Sequence, residues 1–142
     1  MDSWRRTSVH EAGHAVAAIT YAVPIISVSI DAATPHLLRG RYLPPHDVGL
    51  ECLVTFILAG PAAEQQFCGP ITDDGDALDI ASARRYLAQR FEPVQVGAEL
   101  MRLRGSAERL VRSDWARRRI AVIADALLER GTLSGADIAA IG

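Results

Sequence analysis

The sequence predicts a mainly helical protein with a small β-hairpin or sheet, which places it in the α+β class. Apolar residues recur at steps of three and four over most of the chain, as they do along one face of a helix. Alternation of apolar and polar residues, which is typical of a strand, is confined to a short region after the first helix. The 142 residues are 49% hydrophobic and 23% charged, a composition typical of one globular domain, which we expect to span residues 1–142.

The first helix is predicted over residues 7–21, where Thr7 or Ser8 can serve as the N-cap. Its apolar stripe consists of Val9, Ala12, Val16 and Ile19. Pro24 ends the helix. Residues 25–30 then alternate as a strand does, and residues 38–43 can form a second strand that is closed by Pro44 and Pro45.

A second helix is predicted over residues 48–67, with a kink at Gly60 and Pro61. It is apolar on most sides, so we expect it in the middle of the domain. Residues 69–75 form an acidic loop, and a third helix begins near Asp76 to Asp79 and continues to about Arg90.

The remainder is predicted to be helical, in segments 94–103 and 106–130. Ser106 is expected to cap the longer segment, and Gly131 to end it. Ser134 is expected to cap a last short helix, with Asp137 facing the cap.

Residues 10–14 read His-Glu-Ala-Gly-His, which is the HExxH pattern of zinc metallopeptidases. His10 and His14 are four residues apart, so on a helix both imidazoles lie on one face and can reach the same metal ion. Glu11 projects about 100° away, beside the metal, where a general base for a zinc-bound water must stand. We therefore expect a zincin-like helix that supplies two zinc ligands and a catalytic glutamate.

A catalytic zinc also needs a third protein ligand. The candidates are two histidines near the predicted hairpin and four acidic residues before or within the third helix: His36, His46, Asp73, Asp74, Asp76 and Asp79. In a first helical turn the dipole favours an ionised carboxylate, which gives Asp79 a slight advantage over Asp76. Acidic residues at this position are also common helix caps, so the residues alone leave both open.

Three segments resemble the peptidase domain of FtsH-type ATP-dependent zinc proteases. They are HEAGHAVAA at residues 10–18, LAGPAAEQQFCGP at residues 58–70 and GDALDIASARRYL at residues 75–87. The resemblance implies an FtsH-peptidase-like helical domain in which Asp79 is the third ligand of Zn²⁺. Residues 126–133 are also similar to the closing helices of that family.

The chain departs from the family at several positions. Pro61 stands where an arginine is usual, and Asp73, Asp74 and Leu78 replace a threonine-rich loop and an asparagine. The ATPase module and the membrane anchor of the full-length proteases are not in this sequence. Met1 and the lack of a linker favour a stand-alone relative over an excised domain.

The combined expectation is a zinc-dependent endopeptidase that hydrolyses unfolded proteins or peptides through a zinc-activated water. Asp79 would complete the metal site, and Glu11 would take the proton from the water. Two interpretations of Glu64 are about equally good: it hydrogen-bonds a ligand histidine, or it is an ordinary acidic residue on the helix surface. Residues 38–43 would be an edge strand that binds extended substrate. Folded substrates would need a separate unfoldase. The alternative is a non-catalytic metal-binding or protein-interaction module with a peptidase-like fold.

Composition argues against several other functions. The net charge of −2 implies no nucleic-acid partner. The chain has no lysine, so it cannot form a phosphate-binding P-loop. Residues 12–30 carry no charged side chain, but Pro24 interrupts the run, so we expect no membrane insertion. Two isolated cysteines favour a cytoplasmic protein, and the sequence is compatible with a homo-oligomer.

Overall fold

The computed structural model describes residues 3–30, 40–42, 48–71 and 75–141. This part of the chain is mainly helical with a small antiparallel sheet, which confirms the predicted class. The elements in chain order are α1 (Ser3–Thr20), β1 (Ile25–Ser29), β2 (Gly40–Tyr42), α2 (Leu50–Cys68), α3 (Ala77–Leu87), α4 (Pro93–Arg112), α5 (Asp114–Arg130), β3 (Thr132–Ser134) and α6 (Gly135–Ile141).

Helix α1 begins earlier than the sequence predicted, because the two expected capping residues lie inside it. The hydroxyl of Thr7 donates to the carbonyl of Ser3 at 3.0 Å, and that of Ser8 donates to the carbonyl of Arg5 at 2.8 Å. These hydroxyls bond within the helix and so do not cap it. The helix ends at Thr20, and the chain turns away through Ala22, whose φ is +59°.

Helix α2 lies at the centre, in contact with α1, α3 and α4, as its apolar composition predicted. Gly60 and Pro61, where a kink was predicted, lie within one uninterrupted helix. Helices α1 and α2 are in very close contact: a Cβ added at Gly13 would lie 2.6 Å from the Cβ of Ala63. The motif helix is therefore held directly against α2.

The sheet has the strand order β2-β1-β3, and both pairs are antiparallel. Strand β3 was missed by the sequence analysis, because three residues between two helices are too few to show an alternating pattern. Of the predicted strand 38–43, residues 40–42 form β2, and the other predicted residues lie outside the described part. Among the described residues β2 pairs only with β1, so it is an edge strand there.

The break between the two long C-terminal helices is not where the sequence predicted it. Helix α4 runs through Ser106 to Arg112, and Ser113 caps α5 by accepting a hydrogen bond from the backbone N–H of Ala116 at 3.3 Å. Ser106 therefore lies in the middle of α4, where its hydroxyl does not cap a helix end. No helix in the described ranges is long and apolar enough to cross a bilayer.

The last helix begins as predicted. The backbone N–H of Asp137 donates to the Ser134 hydroxyl at 3.0 Å, and the Asp137 carboxylate accepts from the backbone N–H of Ser134 at 2.9 Å. These reciprocal bonds form a capping box. Gly131, which ends α5, has a φ of +79°, a conformation that favours glycine.

Candidate metal centre

Three helices bring together the polar residues that the sequence singled out. Helix α1 supplies His10, Glu11 and His14, the first turn of α3 supplies Asp79, and α2 supplies Glu64. All five side chains are buried. Burial of five titratable groups is costly unless they are paired or bind an ion, so the arrangement requires an explanation from its contacts.

His10, His14 and Asp79 form a group that could hold a metal ion. Asp79 Oδ2 lies 2.8 Å from His10 Nε2 and 3.4 Å from His14 Nε2. One potential ligand atom from each residue lies within 4.8 Å of the others. In a tetrahedral zinc site with bonds of about 2.0–2.1 Å, ligand atoms are about 3.3 Å apart, so the observed spacing fits a bound ion.

Two buried atoms of this group support the same conclusion. His14 Nε2 and Asp79 Oδ1 are inaccessible to solvent and form no hydrogen bond within the described part of the chain. Buried polar atoms are rarely left without a partner. A nitrogen lone pair and a carboxylate oxygen are both donors of electrons to a metal ion, so these residues fit one.

Hydrogen bonds orient both imidazoles toward the centre of the group. The Nδ1–H of His14 donates to the carbonyl oxygen of Phe56 at 3.1 Å, which leaves Nε2 for a metal. The Nδ1–H of His10 donates to Glu64 Oε1 at 2.9 Å, and its Nε2 faces Asp79. Glu64 thus makes the hydrogen bond to a motif histidine that the sequence suggested for it.

Arg6 holds Glu64 in place, and the sequence analysis missed it. The guanidinium of Arg6 donates to Glu64 Oε2 at 2.7 Å and to the carbonyl of Cys68 at 2.7 Å. Although burial works to raise the pKa of Glu64, the hydrogen bonds from His10 and Arg6 lower it below its usual value. Arg6 lies four residues before His10, so α-helical spacing on the motif face was the signal that could have identified it.

The electrostatic environment strongly favours a charged His10 when no metal is bound. Burial works to lower the pKa of His10, but hydrogen bonds to Asp79 and Glu64, with the charge of Glu11, raise it to about 10. For Asp79, burial works to raise the pKa, but the charge of His14 and the hydrogen bond from His10 lower it to about 2. A cation is therefore stabilised at this position, and a metal ion would replace the proton of His10.

The structure supplies a reason for the glycine of the second resembling segment. A Cβ added at Gly60 would overlap Nε2 of His14 and lie 2.6 Å from its Cε1 and 2.7 Å from its Cδ2. The imidazole of His14 is therefore packed against the backbone of α2, where any other residue type would displace it.

Two aromatic residues that the sequence analysis missed adjoin the centre. The ring of Phe56 meets that of His14 edge-on, with centroids 5.7 Å apart, and the ring of Tyr42 meets that of Phe56 at 5.0 Å. No motif marks either residue, because they belong to α2 and β2 and approach the motif helix only in the fold.

Of the alternative third ligands, only Asp76 is described, and it precedes the first residue of α3 outside the metal-binding group. His36, His46, Asp73 and Asp74 lie outside the described residues. Comparison with models of protein families and with curated proteins finds no match for this chain.

Proposed function

We propose that this protein is a zinc-dependent endopeptidase that hydrolyses peptide bonds in unfolded proteins and peptides. The observation that carries the proposal is the convergence of His10, His14 and Asp79, with two unsatisfied buried atoms, beside the buried carboxylate of Glu11. Three protein ligands would leave a position open for water, which is the composition of a catalytic zinc site rather than a structural one. Zinc is favoured over magnesium or calcium because imidazole nitrogens are two of the ligands.

When bound, zinc would lower the pKa of a coordinated water and polarise the substrate carbonyl. Glu11 would then accept a proton from the attacking water as the water oxygen forms a bond to the carbonyl carbon. The same proton would pass to the amide nitrogen as the carbon–nitrogen bond breaks, which returns Glu11 to its ionised form. Glu64 and the carbonyl of Phe56 would keep the two imidazoles oriented throughout.

Strand β2 is the proposed binding site for the substrate backbone. Its second edge is unpaired among the described residues, and Tyr42 at its end adjoins the aromatic ring that contacts His14. An extended peptide that paired with this edge would gain main-chain hydrogen bonds with little preference for sequence. Such binding suits an enzyme that degrades unfolded polypeptides.

The proposal includes a relationship to the FtsH-type peptidase domain, based on the three resembling segments and not on any match in the comparisons. Each segment contributes to the same centre: the first contains His10, Glu11 and His14, the second Gly60 and Glu64, and the third Asp79. A zincin-like role for α1 follows from the same residues. Folded substrates would require a separate unfoldase.

The test is the Glu11→Gln variant, assayed for hydrolysis of casein and for zinc content. Glutamine is nearly isosteric with glutamate but cannot accept the proton, so we expect one zinc per chain and a loss of hydrolysis of at least about 100-fold. Glu129→Gln, which changes an exposed glutamate of α5, is the matched control and should hydrolyse casein at the wild-type rate. Hydrolysis by Glu11→Gln at the wild-type rate would remove Glu11 from the mechanism.

The non-catalytic alternative has one observation in its favour, which is the depth of the centre. His14 is completely buried and Asp79 is 2% exposed, as expected for an ion that stabilises a fold. The same assay separates the two functions. A wild-type protein that binds one zinc, unfolds at lower temperature when zinc is removed and does not cleave casein would be a metal-stabilised binding module.

A further inference from the structure

Tyr42 combines an edge-strand position with a ring that adjoins the metal-binding group through Phe56. It pairs with Ile25 at one end of β2, and its ring packs edge-on against Phe56 at an angle of 74°. Phe56 in turn contacts the ring of His14 and accepts the hydrogen bond from its Nδ1–H. One residue, Phe56, therefore positions both Tyr42 and a proposed zinc ligand.

The hydroxyl of Tyr42 is buried and forms no hydrogen bond with any residue that the structure describes. A buried hydroxyl without a partner is unfavourable, and phenylalanine would fill the same space without that penalty. The donor is thus available to a group that is absent from the protein chain itself. The ring of Tyr42 packs on Phe56, which contacts His14, so a molecule bound at the metal-binding group is the partner that the surroundings offer.

The surroundings keep the hydroxyl neutral. Burial, together with the negative charges of Glu11 and Asp79, raises the pKa of Tyr42 well above its usual value. In the metal-free protein the residue therefore keeps its proton and is a hydrogen-bond donor.

We propose that Tyr42 is a further catalytic residue, whose hydroxyl donates a hydrogen bond to the substrate carbonyl oxygen as that oxygen gains negative charge. This inference rests on the proposed peptidase function. As water adds to the carbonyl carbon, the π electrons move to the oxygen, and Tyr42 stabilises the resulting charge while keeping its own proton. A donor that is already placed and desolvated before the reaction needs no reorganisation when the charge develops.

A substrate would have to reach buried groups, since the hydroxyl of Tyr42 is inaccessible to solvent and His14, Glu11 and Asp79 are buried. A peptide paired along the free edge of β2 would bring its main chain alongside Tyr42, because that residue belongs to the strand.

The test compares Tyr42→Phe with wild type and with Tyr86→Phe, which removes the hydroxyl of a half-buried tyrosine on α3. Zinc-loaded proteins are assayed for casein-peptide hydrolysis, zinc content and thermal unfolding. Binding of a phosphinic peptide, whose tetrahedral anion mimics the charged oxygen, is measured by calorimetry beside binding of the cleavage products.

For Tyr42→Phe we expect kcat to fall about 100-fold with KM within about twofold, since removal of one oxyanion donor has an effect of this size. The phosphinic peptide should bind more weakly by a similar factor, whereas product affinity and zinc content should not change. The midpoint of unfolding should stay the same or rise, because an unsatisfied hydroxyl is removed. Tyr86→Phe should match wild type in kcat and in analogue binding.

The outcomes distinguish the two proposals. If wild type cleaves peptides and binds the analogue, and Tyr42→Phe does both equally well, the role of Tyr42 is wrong and the peptidase function stands. Loss of zinc from Tyr42→Phe would likewise overturn the role, since the hydroxyl would then support the metal site. If wild type neither cleaves peptides nor binds the analogue, the peptidase function fails and the role of Tyr42 fails with it.

Discussion

Replacement of Gly60 by alanine tests the packing of His14 against helix α2. The new Cβ would lie 2.6 Å from Cε1 of His14, whereas ordinary van der Waals contact begins at 3.4 Å. The ring must therefore move by at least about 0.8 Å, because Nε2 would lie even closer than Cε1, and this is well outside the tolerance of about 0.2 Å for a metal–ligand distance. The same movement disturbs the 3.1 Å hydrogen bond between His14 Nδ1 and the carbonyl of Phe56.

Two separate effects are expected from Gly60→Ala. Zinc should bind at least about 10–100-fold more weakly, which is the effect of disturbing the residues that orient a ligand. Overpacking at the helix contact should lower the free energy of unfolding of the metal-free protein by about 1–3 kcal/mol. The assays are competition with a zinc chelator of known affinity, and denaturant unfolding with and without zinc.

Another glycine provides the matched control. Gly97→Ala in α4 meets no atom within 4 Å and should be neutral or stabilise by up to about 1 kcal/mol. Wild-type zinc affinity in Gly60→Ala would refute the argument that α2 holds His14 in its ligating position.

Four further outcomes are expected. Asp79→Ala should lose most of its zinc while Asp76→Ala retains it, as measured by metal analysis; full occupancy in Asp79→Ala would exclude Asp79 as the third ligand. Glu64→Gln should weaken zinc binding by about 10–100-fold in chelator competition, because the residue that accepts the hydrogen bond from His10 is then uncharged. Unchanged zinc affinity would contradict this role of Glu64. Because the pKa of metal-free His10 is about 10, its proton is present at pH 8 and must leave when zinc binds. Calorimetry in two buffers should therefore find at least about one proton released per zinc bound. Release of no proton would mean that His10 is neutral before binding. ATP should not change the rate of casein hydrolysis by the purified chain, because a chain without lysine cannot form a P-loop. Stimulation of hydrolysis by ATP would refute that expectation.

The helical spacing of the motif determined the relative positions of His10, Glu11 and His14 before any tertiary contact was considered. In an α-helix, residues four apart share a face whatever the rest of the fold does. The same local physics predicted the capping box at Ser134 and Asp137, and the mainly helical class. Local signals failed at Ser106, which was expected to cap a helix but lies inside α4, whereas Ser113 caps α5.

Asp79, the proposed third ligand, was only narrowly favoured from the residues themselves. Asp76 and Asp79 both lie near the start of α3, and only the approach of α3 to α1 decides which carboxylate reaches the histidines. The family resemblance selected Asp79 without giving the physical reason. The structure supplies one, because Asp79 lies within hydrogen-bonding distance of His10, and Asp76 is not part of the metal-binding group.

The sequence by itself determined that one helix presents two imidazoles and a carboxylate, since that depends only on the geometry of the backbone. Tertiary structure alone decided what surrounds them: Glu64 and Arg6 near His10, Gly60 against His14, and Tyr42 next to Phe56, which contacts His14. His10 and Glu64 are 54 positions apart in the chain, so no local periodicity relates them. Their contact arises because the apolar faces of α1 and α2 must pack together to be buried, and the polar residues at the edge of that contact meet as a consequence.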